Sequence, residues 1–127
     1  LVIVTKKLLN KLTITQGATF NTPVRHYHLD DATLVETPID LTGASIRVQI
    51  RKKEADYETY IHADISTANG KLVFTDAVNG KFKFNVSATE TRDWKFDDGF
   101  LEFEYTYADL TVRKKFIKCK LIREYVR

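Results

Sequence analysis

The sequence predicts an all-β protein, an antiparallel β-sandwich carrying one short helix near residues 88–95. Three observations carry that expectation. Apolar and polar residues alternate with period two over residues 46–51, 81–86 and 101–107, as in strands that bury one face. Turn-forming residues separate these stretches: Gln16-Gly17, Asp40 with Thr42-Gly43, Asn69-Gly70, Asn79-Gly80 and Asp97-Asp98-Gly99. No long helical period interrupts the pattern.

The chain has 127 residues, 43% hydrophobic and 29% charged, which suits one globular domain with its own core. Residues 1–11 read as an N-terminal arm and residues 12–127 as a single sandwich domain. A lone cysteine, Cys119, excludes an internal disulfide and a multi-cysteine zinc site, and fits a reducing compartment. No apolar run approaches the roughly 18 residues of a spanning helix, so no membrane partner is expected. Leu1-Val2-Ile3-Val4 followed by Lys6-Lys7 has the wrong length and order for a secretory signal. With no Met in the chain, leading residues are expected to be missing before Leu1. The net charge is +3, but residues 113–127 hold seven basic residues and one acid. That end suits an acidic protein surface or nucleic acid, or simply a lysine-rich solvated strand face that discourages edge pairing.

In chain order, residues 12–15 alternate and end at Gln16-Gly17. Residues 18–28 form an extended piece with Phe20, Thr22, Val24, His26 and His28 on one face; Pro23 places it at an edge or kink. Asp30 to Thr33 is a loop tip, and the loop runs on to Pro38. Asp40-Leu41-Thr42-Gly43 then feeds a strand in which Ile46, Val48 and Ile50 point inward. Residues 52–56 read as a charged turn and 57–65 as a strand. Asn69-Gly70 and Asn79-Gly80 are both hairpin signals. After the second, Phe82, Phe84 and Val86 face inward. Ser87 and Glu90 match a capping box and start a helix of one or two turns through Trp94. Leu101, Phe103, Tyr105 and Tyr107 give another strand, and Ala108-Asp109 the next hairpin tip. In the last strand Val112 is out of phase with Ile117, Cys119 and Leu121, so a bulge is expected at Lys114-Lys115.

Few residues invite chemistry. His26 and His28 project from one strand face and, with His62 or Asp30, have the donor types of a metal site, but the set lacks further ligands at suitable spacing, so no metal and no cofactor is expected. Asp30-Asp31 and Asp97-Asp98 are turn residues, and Glu102 and Glu104 are expected to pair across strands with lysines such as Lys81 and Lys83. Cys119 is expected to be a buried small hydrophobe rather than a nucleophile. No phosphate loop, nucleophile elbow or dinucleotide fingerprint occurs. Phe82 and Phe84 carry the core phase, which disfavours a base-stacking platform and hence nucleic acid as partner.

Three stretches together resemble a family of small structural proteins of tailed bacteriophages. They are Ile14-Thr15-Gln16-Gly17-Ala18-Thr19-Phe20, the Asp40-Leu41-Thr42-Gly43-Ala44 turn with its following strand, and Gly80-Lys81-Phe82 through Val86-Ser87-Ala88-Thr89-Glu90-Thr91. Their order is similar to the N-terminal domain of baseplate upper proteins and to stand-alone tail-associated proteins, over roughly residues 12–110. The resemblance implies an immunoglobulin-like sandwich without enzymatic activity. It implies a tail or baseplate adaptor, made in the host cytoplasm and residing in the virion, with copies of itself and neighbouring tail or head proteins as partners. The candidate assembly surface is Leu1, Val2, Ile3 and Val4 together with Arg113, Lys114, Lys115, Lys118 and Lys120. The alternatives are a capsid-surface decoration protein and a host-surface recognition module. The latter would use Tyr57, Tyr60, Trp94 and Tyr107, although Trp94 is expected to pack over one end of the sandwich.

Overall fold

Strands form where the alternation is strongest, and they divide between two sheets. The computed structural model describes residues 2–4, 11–51 and 61–123. The elements are β1 (Val2–Val4), β2 (Leu12–Thr15), β3 (Pro23–Leu29), β4 (Glu36–Pro38), β5 (Ser45–Arg51), β6 (Ile61–Ser66), β7 (Leu72–Asp76), a 3-10 turn (Ala77–Asn79), β8 (Lys81–Phe84), α1 (Ala88–Arg92), β9 (Asp98–Thr106) and β10 (Val112–Ile122). One sheet runs β1-β3-β8-β7, with β4 also paired to β3; the other runs β2-β10-β9-β5-β6. With β3 as strand B, these hold the B-E-D and G-F-C-C′ strands of an immunoglobulin-like sandwich, with β1 beside β3 and β2 beside the G strand β10. The fold is therefore an all-β immunoglobulin-like sandwich with one short helix.

The inward faces interlock as the alternation requires. Ile46, Val48, Ile50, Leu101, Phe103, Tyr105, Ile117, Cys119 and Leu121 from one sheet meet Val24, Leu72, Phe82 and Phe84 from the other, all buried. Each such side chain contributes on the order of 1.5–3 kcal/mol of transfer free energy. Phe20, bridged to Val86, stacks on Phe84 at 4.2 Å and meets Trp94 edge-on at 6.2 Å. Trp94 thus closes the lower end of the core, as expected. Gln16 fixes this corner by donating from Nε2 to Trp94 O at 2.7 Å.

Several expectations are corrected. The sheets are not purely antiparallel: β1 runs parallel to β3 and β2 parallel to β10. Residues 2–4 therefore lie along their own chain's sheet, not on a neighbour's; Leu1 lies outside the described residues. No bulge occurs at Lys114-Lys115, since β10 pairs with β9 in unbroken register from Val112 to Lys120. Val112 is instead an outward, exposed residue, and Arg113 and Lys115 take the inward phase at the end of the strand. Asn69-Gly70 closes no hairpin. It carries the chain from β6 in one sheet to β7 in the other, with Ser66 N donating to Asn69 Oδ1 and Asn69 N to Ser66 Oγ, both at 3.0 Å. Only Asn79-Gly80 joins paired strands. The loop expected up to Pro38 contains β4. The helix stops at Arg92; Ser87 caps it by accepting from Glu90 N at 3.2 Å, and the Glu90 carboxylate takes Lys71 Nζ at 2.6 Å. The turn at 52–56 and the start of the next strand lie outside the described residues.

Candidate functional site

Val24 pairs with Phe82, and Phe82 meets Phe103 across the core, while His26 lies against Tyr105. β3 and β9 therefore ascend together. Beyond their upper ends, four connections come into one region: residues 30–35, residues 39–44, the 3-10 turn and residues 107–111. Leu41, fully buried, donates its N–H to Ala77 O at 2.8 Å, tying the second connection to the third. Gly43 binds the second to the fourth: it has φ +74, and a Cβ there would meet Ala108 Cβ at 3.1 Å. This explains the glycine on two counts, the left-handed backbone and the close approach.

Short polar side chains shape the tips. Asp30 Oδ1 accepts from Ala32 N and Thr33 N, both at 2.9 Å, and Leu34 N donates to Asp30 O at 2.9 Å. Asp109 Oδ1 accepts from Thr111 N at 2.9 Å, and Leu110 N donates to Tyr107 O at 2.8 Å. Asp40 Oδ1 accepts from Thr42 N at 2.9 Å. These turn contacts hold the carboxyl groups of Asp30, Asp40 and Asp109 below the usual aspartate range, led by Thr33, Thr42 and Thr111 respectively. The aspartates thus stay charged around the apolar tips.

At each of two tips the turn places a leucine in the left-handed region, Leu34 at φ 58 and Leu110 at φ 66. That backbone costs an L-residue roughly 1–2 kcal/mol. Both side chains nevertheless stand in solvent, 71% and 80% exposed. Val35, Val78 and Val112 are exposed at the same end, so five of the seven exposed large hydrophobic residues among the described residues gather there. Exposed apolar side chains thus stand on three of the connections at this end, beside the charged turn aspartates.

Beneath this end lies an unusual polar contact. His26 is 1% exposed and Tyr105 is fully buried, with ring centroids 4.8 Å apart. Neither ring nitrogen of His26 nor the Tyr105 hydroxyl reaches a protein hydrogen-bond partner. Burial, helped by the positive charge of Lys115, pushes His26 down to about 4. Burial likewise raises the Tyr105 hydroxyl well above its ordinary value. The pair spans strands B and F, the two that a disulfide joins in antibody domains.

The residues named from sequence are spread over the fold. Val2, Ile3 and Val4 pair with Arg25, His26 and Tyr27. Lys118 and Lys120 stand outward on β10, while Lys114 lies 3.4 Å from Glu102 and 3.6 Å from Glu104. Those glutamates do not meet Lys81 or Lys83, which belong to the opposite sheet; Glu102 also pairs with Arg51 at 2.9 Å. Arg113 sits beside the 107–111 tip. His28 shares the face of His26 but is only half-buried, and no group of three metal-ligating side chains occurs among the described residues. Cys119 is buried, its thiol pushed up to about 12 by that burial first of all, so it is inert. Trp94 is buried at the opposite end and offers no recognition surface; Tyr57 and Tyr60 lie outside the described residues. An open groove of about 400 Å³ beside β5 and β6 is floored by the Arg47–Asp64 pair at 2.9 Å, whose charges already satisfy each other. The apolar tips were missed from sequence, although Leu34-Val35 in a polar loop and Leu110 at a hairpin tip were visible signals.

No protein-family model matches the chain, and no curated protein matches it. Among solved structures, one titled "Structure or murine CRIg" superposes with a TM-score of 0.38 and 13% identity, covering 91% of this chain and 95% of that one. The likeness is too loose to add to what the strand order itself shows.

Proposed function

We propose that this chain is a non-enzymatic assembly module that docks a protein neighbour on the upper end of its sandwich. The observation that carries this reading is the pair of leucines, Leu34 and Leu110, held at positive φ with their side chains in solvent. A turn serving only to reverse the chain would place Gly or Asn there. A strained, exposed leucine has a use only where something covers it. The order of the Gln16-Gly17, Asp40-to-Gly43 and Ser87-to-Thr91 stretches supports placing the module in a bacteriophage tail or baseplate, with head or tail proteins as its neighbours.

The test is incorporation into particles. Leu34→Asn with Leu110→Asn removes the apolar tips while leaving a residue type that tolerates the backbone. The doubly substituted chain should fold and be excluded from particles that take up the wild type. Uptake equal to wild type would overturn the reading. Cryo-electron microscopy of the loaded particles should show one ring at the vertex or tail; many copies over the shell would make the protein a decoration protein instead.

A further inference from the structure

The chain holds the same three residues in two turns, Asn69-Gly70-Lys71 and Asn79-Gly80-Lys81, and the fold treats them in opposite ways. At the first, backbone groups hold the Asn69 side chain. Its Oδ1 accepts from Ser66 N and from Lys71 N, both at 3.0 Å, and its Nδ2 donates to Asp64 O at 3.1 Å. Gly70 is exposed at φ +78, and a Cβ there would meet nothing within 4 Å. Its carbonyl accepts from Asn85 Nδ2 at 3.1 Å, while no acceptor among the described residues takes its N–H. At the second turn, Gly80 is buried and its N–H donates to Ala77 O at 3.0 Å. The Asn79 side chain donates from Nδ2 to Asp76 Oδ2 at 2.8 Å, and no backbone N–H among the described residues reaches its Oδ1.

We propose that Asn69 is a site of self-modification, at which the Gly70 nitrogen attacks Asn69 Cγ and the side chain closes to a succinimide. The N–Cγ bond forms, the Cγ–Nδ2 bond breaks, and the amide leaves as ammonia carrying the proton of the Gly70 nitrogen. Water, the only co-reactant, then opens the ring at either carbonyl and leaves aspartate or isoaspartate at position 69. Ser66 N and Lys71 N lie on the atom where negative charge develops as the nitrogen adds, so they polarise the carbonyl and tighten on attack. Glycine leaves the attacking nitrogen uncrowded. The same step at Asn79 would have to break the bond from Gly80 N to Ala77 O within a buried turn. The fold also tolerates the two products differently. Residues 67–71 pass between β6 and β7, each the outermost strand of its sheet, so an added backbone methylene disturbs no interior ladder. Gly80 O accepts from His26 N at 2.8 Å, and a methylene added there would displace that bond. Conversion of Asn69 adds one negative charge to the groove beside β5 and β6, which this residue helps to line.

The two sites serve as each other's control, because of the residues flanking each Asn-Gly pair only the preceding one differs, Ala68 against Val78. The full chain is incubated folded at neutral pH and, in parallel, unfolded in denaturant. Mass spectrometry of the tryptic peptides ending at Lys71 and Lys81 follows the loss of ammonia and the conversion of amide to acid. In denaturant the two asparagines should convert at comparable rates. In the folded chain Asn69 should convert about tenfold or more faster than Asn79, a fraction of what a preorganised N–H donor contributes at an oxyanion shielded from water. It should also convert no slower than it does in denaturant, and yield isoaspartate together with aspartate. Equal rates at the two sites of the folded chain would overturn the proposal. So would an Asn69 that folding protects, or a product that is aspartate alone, since direct hydrolysis of the amide gives no isoaspartate.

Discussion

Lowering the pH from neutral to about 5 should destabilise the sandwich by roughly 2 kcal/mol through His26 alone. The imidazole titrates at 6.5 when exposed and is held at about 4 in the fold. The unfolded chain therefore binds more protons than the native one between these values. Stability is fully present above 6.5, falls as pH drops through that window, and levels off below about 4 with roughly 3 kcal/mol lost. The group is 1% exposed, so solvent screening does not discount the figure as it would for a surface ion pair. The groups facing it are the Tyr105 ring on β9 and the Lys115 charge on β10. Denaturant unfolding at several pH values would measure the effect. His26→Leu removes the titrating ring together with its two unpaired nitrogens, so this variant should be about 1 kcal/mol more stable at neutral pH. It should also lose most of the dependence. An equal loss of stability in wild type and variant would refute the argument that buried, unpaired His26 is the source.

Leu34→Asn and Leu110→Asn should each leave folding stability unchanged or raise it by up to about 1 kcal/mol, because the backbone strain is relieved and little buried surface is lost; thermal unfolding checks this, and a clear loss would mean that the leucines pack within the fold. Gly80→Ala should cost more than about 2 kcal/mol, since φ is +69 and the new Cβ would stand 2.3 Å from His26 O and 2.8 Å from Ile39 O; denaturant titration would show it as a lower midpoint. Cys119, buried with its thiol pushed up to about 12, should resist alkylation in the native protein and react at once in denaturant, as mass spectrometry would report; rapid native labelling would refute its burial.

The strands were legible because their signal is local. Ile46, Val48 and Ile50, or Phe82 and Phe84, announce their buried face through neighbours two residues away. Ser87 and Glu90 likewise announced the helix start, and Trp94 its burial. What stayed hidden depends on which strands meet. Asn69-Gly70 has the same turn chemistry whether it joins paired strands or, as here, passes between sheets. Lysine partners for Glu102 and Glu104 were sought at Lys81 and Lys83 because both sets alternate well, but the alternation does not say that they belong to opposite sheets. Lys114-Lys115 suggested a bulge only because Val112 was assumed to be a core residue. The candidate site was less legible still. Exposure of Leu34 and Leu110 is a property of the assembled end, and their positive φ comes from turns that Asp30 and Asp109 close.

The two unusual features of the molecule lie close together. Strand β3 carries the buried, unpaired His26 and ends in the loop that presents Leu34. His26 itself is where β8 gives way to β4: its N–H donates to Gly80 O at 2.8 Å and its carbonyl accepts from Ile39 N at 3.1 Å. The side chain beneath the loop end thus titrates at the backbone junction that supports it. A fold selected for stability alone would replace both features, His26 by an aliphatic residue and the two leucines by Asn or Gly. On the proposed reading, docking accounts for the leucines. For His26, the same placement means that acid should loosen the loop end before the lower core, where Phe20, Phe84 and Trp94 hold an apolar cluster without a titrating group. Hydrogen exchange at about pH 5 should therefore rise first at the amides of His26 and Ile39 and last in the lower strands, whereas uniform acceleration along the chain would separate the histidine from the docking end.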